Sequence, residues 1–204
     1  MNIRRLWPLL LLVSLAGALA GGLLAHMLTQ SRVTLQAGTW LPQPRSLAPF
    51  ALTDTHGRAM DNAALRGHAT LVYFGFTACP DVCPATLAVL RDLRERTPLT
   101  NLEMWFVTVD PDRDTPAVLQ QYLAVFGGNF VGLRAAPAAL PVLLQEFSAY
   151  AGRSKLPDGQ YAVDHSATLF LIDSHAQLAA IFNPPLQAAA LDADLRELSK
   201  AGKL

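Results

Sequence analysis

Two cysteines, Cys79 and Cys83, are the chain's whole complement, and both lie in the stretch FTACPDVCP at residues 76–84. Each is followed by proline. A spacing of four is about one helical turn, so two such sulfurs at a helix start come side by side. The pair can close a disulfide or grip one soft metal ion. As a structural staple it does little, because closing so short a loop barely restrains the unfolded chain. Two thiolates alone make a labile metal site, so a third ligand is wanted, and the histidines are the candidates. His26 belongs to an apolar N-terminal segment. His56, His68 and His175 sit beside turn residues and read as solvated. His165 differs, lying in VDHSATLFLID just ahead of a core strand, with Asp164 placed to orient it or raise its basicity. The residues alone leave His165 either a metal ligand or a satisfied loop histidine.

The elements that must position these groups follow from pattern. TLVYFGF, residues 70–76, is a continuous β-branched and aromatic run, as expected of a strand buried on both faces. A helix should follow the cysteines, with Pro84 at its first position, Leu87, Leu90 and Leu93 on one side, and Pro98 ending it. Its unpaired N–H groups favour thiolate at Cys83 and, secondarily, Cys79. MWFVTVD, residues 104–110, is the next buried strand, which implies a right-handed parallel crossover. Thr115-Pro116 opens a second helix that Gly127-Gly128 stops. FVGLRA is a short strand, and a helix falls within 138–150. ATLFLID and LAAIFN form a hairpin across SHAQ, and a last helix occupies about 186–200. Near the start, FALTDTHGRAM reads as two short strands around His56-Gly57. The sum is an α/β sandwich with a mixed sheet, its site at a strand-to-helix turn, where reactive groups gather in such folds. In a thioredoxin-like layout the loop bearing His165 faces that turn.

DPDRDTP, residues 110–116, is dense in charge. It reads as a solvated loop in which Asp114 or Thr115 caps the next helix, with a second metal site as the alternative. Met60 and Met104 stand alone, so there is no methionine-rich metal box.

Arg4 and Arg5 precede an apolar run from Leu6 to Leu28, long enough to cross a bilayer, which takes roughly 20 residues. The charges place the N-terminus in the cytoplasm and the remainder outside. Ala18-Leu19-Ala20 fits a signal-peptidase site, but the run continues past it, which favours an uncleaved anchor. The expected organisation is an anchor over 1–28, a proline-rich linker over 29–45 and a folded domain over 46–204. The 204 residues carry 16 basic and 16 acidic side chains. No basic excess or phosphate-cradling glycine loop is present, which argues against a nucleic-acid partner or a nucleotide enzyme.

FGFTACPDVCPATL, VTVDPDRDTP and VDHSATLFLID together resemble the signature stretches of the Sco/SenC family of copper chaperones, in order and at fitting separations over roughly residues 45–200. The resemblance implies a thioredoxin-like fold, a central mixed sheet flanked by helices, behind one N-terminal transmembrane helix. It implies copper, as Cu(I) or Cu(II), bound by Cys79, Cys83 and His165 with Asp164 beside the histidine. It also implies a partner, the copper-bearing subunit of cytochrome c oxidase, with other copper carriers or thioredoxin-like reductants as further contacts. The implied place is the periplasmic side of the inner membrane. The alternative activity is thiol–disulfide exchange by the Cys79–Cys83 pair, reducing the oxidase subunit's cysteines. A peroxidase reading is weaker, since no basic residue adjoins either cysteine. Ala78 stands where family members often have histidine, and Ser174-His175-Ala176-Gln177 where Asp-x-x-Gly is usual.

Overall fold

The computed structural model describes residues 13–22, 34–127, 129–157 and 159–204. Residues 13–22 form a helix, α1, with exposed side chains. Most of the anchor expected over 1–28 lies outside the described residues, and among those described no helix is long and apolar enough to cross a membrane.

Residues 34–204 form a separate compact unit. Its main sheet has eight strands: β1 (Gly38–Ser46), β2 (Ala51–Asp54), β3 (Ala59–Asp61), β4 (Ala69–Gly75), β5 (Leu102–Thr108), β6 (Phe130–Ala135), β9 (Leu169–Ile172) and β10 (Gln177–Phe182). Their order is β1-β10-β9-β4-β5-β6-β2-β3. The β4–β5 and β5–β6 pairs are parallel and the rest antiparallel, so the sheet is mixed as expected. Every residue of β4 is buried, which is why its sequence is a continuous apolar run rather than an alternation. Helices α2 (Val82–Arg96), α3 (Pro116–Ala124), α4 (Leu140–Phe147) and α5 (Ala188–Lys200) complete the unit. Helix α2 packs against α5, and α3 against β6.

Three expectations change. The linker expected over 29–45 is partly strand: β1 pairs with β10, and the register slips between Trp40 and Arg45, where the prolines fall. An edge strand with a bulge tolerates proline, which a central strand does not. The buried Asp194 of α5 fixes the start of this strand, accepting backbone N–H groups from Gln36 at 2.6 Å and Ala37 at 2.8 Å. Second, Pro84 is the third residue of α2 rather than the first. It still lies in the first turn, where its missing N–H has no intrahelical partner to lose. Third, a separate two-stranded hairpin, β7 (Ala151–Lys155) and β8 (Tyr161–His165), was not expected. His165 is its last residue and pairs with Ala151.

Candidate metal centre

Strand β4 delivers the chain to the cysteines, and α2 fixes the second of them. The buried stripe of α2 is Cys83, Thr86, Leu87, Leu90 and Leu93. Cys83 therefore heads an apolar face at helical spacing, and its sulfur points into the core rather than at solvent. Cys83 is fully buried and Cys79 is 9% exposed. Both are free thiols. The floor under Cys83 is Gly75, where a Cβ would stand 3.0 Å from the Cys83 sulfur and 2.9 Å from the Phe106 ring.

His165 arrives from the hairpin. Its Nε2 lies 3.2 Å from Cys83 Sγ, and its Nδ1 lies 3.0 Å from the Ser166 carbonyl oxygen. A carbonyl only accepts, so Nδ1 carries the proton and Nε2 turns its lone pair toward the sulfurs. The ring is boxed by Phe76 and Tyr73, with centroids 5.6 and 6.0 Å away, both edge-on. Tyr73 donates its hydroxyl to Cys83 Sγ at 3.7 Å. Asp164 is exposed. It neighbours His165 on a strand, so its side chain faces the other way. The hydrogen bond that sets the ring's tautomer is donated by His165 Nδ1 to the Ser166 carbonyl, while Asp164 acts on His165 through its charge.

The electrostatics differ from the sequence expectation. Burial pushes the Cys83 thiol up to about 12, against the opposing pull of the Phe76 backbone. Helix-start N–H groups were expected to favour thiolate there, but the side chain enters the core and desolvation wins. The helix-start donor serves the other sulfur: the Cys83 N–H points at Cys79 Sγ, 3.4 Å away. Burial lowers the His165 imidazole below its usual value, outweighing the Ser166 carbonyl and the Asp164 charge, so the ring stays neutral near pH 7. A neutral imidazole is the form that ligates metals.

The donor atoms of Cys79, Cys83 and His165 all lie within 4.8 Å of one another. Two metal–sulfur bonds of ~2.3 Å at a trigonal angle span ~4.0 Å, so the donor atoms, within 4.8 Å of one another, would draw together by less than about 1 Å to share one ion. Two sulfurs and an imidazole are a soft donor set suited to copper or zinc. Among the described residues no other group of three histidine, cysteine or acidic side chains converges in this way. His56 and His175 are exposed as expected, whereas His68 is half-buried and faces Glu103 at 3.3 Å.

The DPDRDTP segment is a solvated loop only in part, with Asp112, Thr115 and Pro116 exposed. Asp110 and Asp114 are fully buried, and both are bonded to side chains that lead to the centre. Thr115 caps α3, accepting from the Val118 N–H. Buried carboxylates escape a reading by composition because charge density is the usual mark of a wet surface. Of the side chains that satisfy them, Arg113 and Thr108 are local, whereas Thr77, Arg153 and Tyr161 are far along the sequence.

The SCO1/SenC family model matches residues 41–200. The chain is 36% identical over 133 residues to an SCO2-like protein of Rickettsia prowazekii (strain Madrid E), a match covering 63% of this chain and 65% of that protein, so just under two thirds of the relative's length. A structure of Bradyrhizobium japonicum ScoI with copper bound superposes with a TM-score of 0.68 at 34% identity, covering 74% of this chain and 98% of that one. Yeast Sco1 with copper bound gives a TM-score of 0.70 at 29% identity, covering 77% and 90%. With the family model spanning nearly all of the folded unit and the same α/β thioredoxin-like fold in these relatives, this chain belongs to the SCO1/SenC family.

Proposed function

We propose that this protein is a membrane-tethered copper carrier, which holds one copper ion between Cys79, Cys83 and His165 and passes it to the dinuclear copper site of cytochrome c oxidase during assembly. The observation that carries the reading is the convergence of two thiols and one neutral imidazole within 4.8 Å. The copper-bound relatives support the choice of metal, and the family resemblance supplies the oxidase. Three protein ligands leave room for a ligand from the acceptor. Transfer needs such a shared state, because an ion leaves by exchanging one donor at a time. Thiolates suit Cu(I) and the imidazole also suits Cu(II), so one site serves either state.

The tether is the Leu6–Leu28 segment, retained as a single-pass anchor in the inner membrane. The N-terminus lies in the cytoplasm and the folded unit in the periplasm. After alkaline washing the full-length chain should stay with the membrane fraction. A mature chain beginning at Gly21 and released by the wash would overturn the anchor.

The free and adjacent thiols favour a second reading, reduction of a disulfide on the oxidase subunit. Two thiols would give up two electrons and two protons, closing a Cys79–Cys83 disulfide as the partner's bond opens. His165 separates the two activities, since exchange needs only the sulfurs. His165→Ala should cycle its disulfide, bind copper poorly and fail to support oxidase assembly. A variant that loses copper and still rescues the oxidase would favour the reductase; one that keeps full copper affinity would remove His165 from the site.

A further inference from the structure

The segment from Asp110 to Asp114 holds both arms of the centre at once. On the histidine side, Asp110 accepts the Tyr161 hydroxyl at 2.8 Å and an Arg153 N–H at 2.7 Å, and it also pairs with Arg113. Two guanidiniums lie over the Tyr161 ring, that of Arg113 at 4.1 Å and that of Arg153 at 4.7 Å from its centroid. The Arg113 side chain further donates to the Tyr161 carbonyl at 3.3 Å. Tyr161 and Arg153 belong to the β7–β8 hairpin, which otherwise makes few contacts with the main sheet.

Register shows why this matters. Tyr161 and His165 are four apart on β8, so they share a face. Arg153 pairs across from Val163 and lies on that face too. The face that brings Tyr161 and Arg153 to Asp110 is the face that brings His165 to the cysteines. Two guanidinium donors and one hydroxyl donor meet at a carboxylate that is 0% exposed. The carboxylate is buried while Arg113 and Arg153 are 35% and 41% exposed, so it is Asp110 that would lack partners if these bonds broke, and that holds the contacts in place.

On the cysteine side, Asp114 accepts the Thr77 N–H at 3.1 Å, the Thr77 hydroxyl at 2.6 Å and the Thr108 hydroxyl. Thr77 is two residues before Cys79. The Asp114 N–H in turn donates to the Asp110 carbonyl at 2.9 Å, locking the two carboxylates to one turn of chain.

We propose that Asp110 and Asp114 are positioning residues for the metal centre, a two-ended brace that sets the distance between His165 and the cysteine pair. This rests on the copper reading for its purpose, but the geometry it sets exists without metal.

The test uses the full-length chain in detergent and the variants Asp110→Asn and Tyr161→Phe, with Asp112→Asn as the comparison at an exposed position that pairs only with Arg153. Two readouts are taken: ring-to-ring nuclear Overhauser contacts from His165 to Phe76 and Tyr73 without metal, and Cu(I) affinity by chelator competition. Asp110→Asn should lose the ring contacts and bind copper about 10–100-fold more weakly, as for loss of groups that orient ligands. Thiol–disulfide exchange at Cys79–Cys83 should stay at its parent rate, which a general loss of structure would not allow. Tyr161→Phe removes one hydroxyl and should shift both readouts the same way by less; it carries the test if Asp110→Asn does not fold. Asp112→Asn should match the parent. A folded Asp110→Asn or Tyr161→Phe with parent ring contacts would overturn the brace, whatever its copper affinity. Loss of the ring contacts in a chain whose parent binds no copper would sustain the brace and overturn the copper reading alone.

Discussion

The two arms of the centre are built differently. The cysteine arm is part of the core: β4 is buried throughout, and Cys83 heads the buried stripe of α2 above Gly75. The histidine arm is a polar hairpin outside the main sheet, held by carboxylate–arginine pairs and one tyrosine hydroxyl. One arm is set by close packing, which is stiff. The other is set by a few polar contacts, and local opening is cheapest where few apolar groups are buried. On the proposed carrier reading, the packed arm would hold its sulfurs in place, and the position of the imidazole would depend on the contacts at Asp110.

The largest effects should come from removing a ligand on either side. Cys83→Ala and His165→Ala should each weaken Cu(I) binding by more than about 100-fold, beyond the range for groups that merely orient ligands. Chelator competition reads this, and an affinity within tenfold of the parent for either variant would remove that arm from the site. Only the cysteine variant should also lose thiol exchange.

Gly75→Ala strikes the stiff arm without replacing a ligand. Its Cβ would press on Cys83 Sγ at 3.0 Å and on the Phe106 ring at 2.9 Å, both fully buried. Overpacking of this kind costs about 1–3 kcal/mol, so the denaturation midpoint should fall and copper binding with it. A variant as stable as the parent would show that the floor of the site can give.

The arms also differ in protonation. With the Cys83 thiol pushed up to about 12, that sulfur holds its proton through neutral pH and must release it to bind metal. His165, lowered by burial, has no proton to lose in that range. With one proton released from Cys83, copper affinity should therefore rise about tenfold per pH unit between about pH 7 and 9. A flat profile, measured by competition at fixed chelator speciation, would deny Cys83 a ligand role.

The smallest effect belongs to the compliant arm. At Gly152 a Cβ would meet the Tyr150 hydroxyl, but Tyr150 is 62% exposed and free to swing aside. Gly152→Ala should shift stability by no more than about 0.5 kcal/mol. A loss as large as that of Gly75→Ala would mean the hairpin is as rigidly packed as the core.

Legibility in the sequence follows the same divide. Strands β4 and β5 and the stripe of α2 announce themselves because burial on both faces demands unbroken apolar runs, and Thr115-Pro116 because a cap has its own chemistry. The cysteine pair was legible from residue type and spacing, while His165 was left open by the residues and named by the resemblance; the fold brings all three donor atoms within 4.8 Å of one another. The hairpin was not legible, since GRSKLPDGQYAVD alternates weakly and looks like loop. Strand β1 was hidden by Pro42 and Pro44, which an edge strand accommodates and a central one would not. The buried roles of Asp110 and Asp114 were hidden because three of their partners, Thr77, Arg153 and Tyr161, are distant in sequence. The raised thiol of Cys83 was misjudged because a helix start was weighed without the direction of the side chain.

The most direct test of the central claim is X-ray absorption on the full-length chain loaded with one equivalent of Cu(I), beside the same experiment on His165→Ala. The account expects a copper shell of two sulfurs and one imidazole nitrogen from Cys79, Cys83 and His165, with the nitrogen lost and both sulfurs kept in the variant. A parent spectrum without sulfur, or an imidazole contribution that survives in His165→Ala, would contradict it.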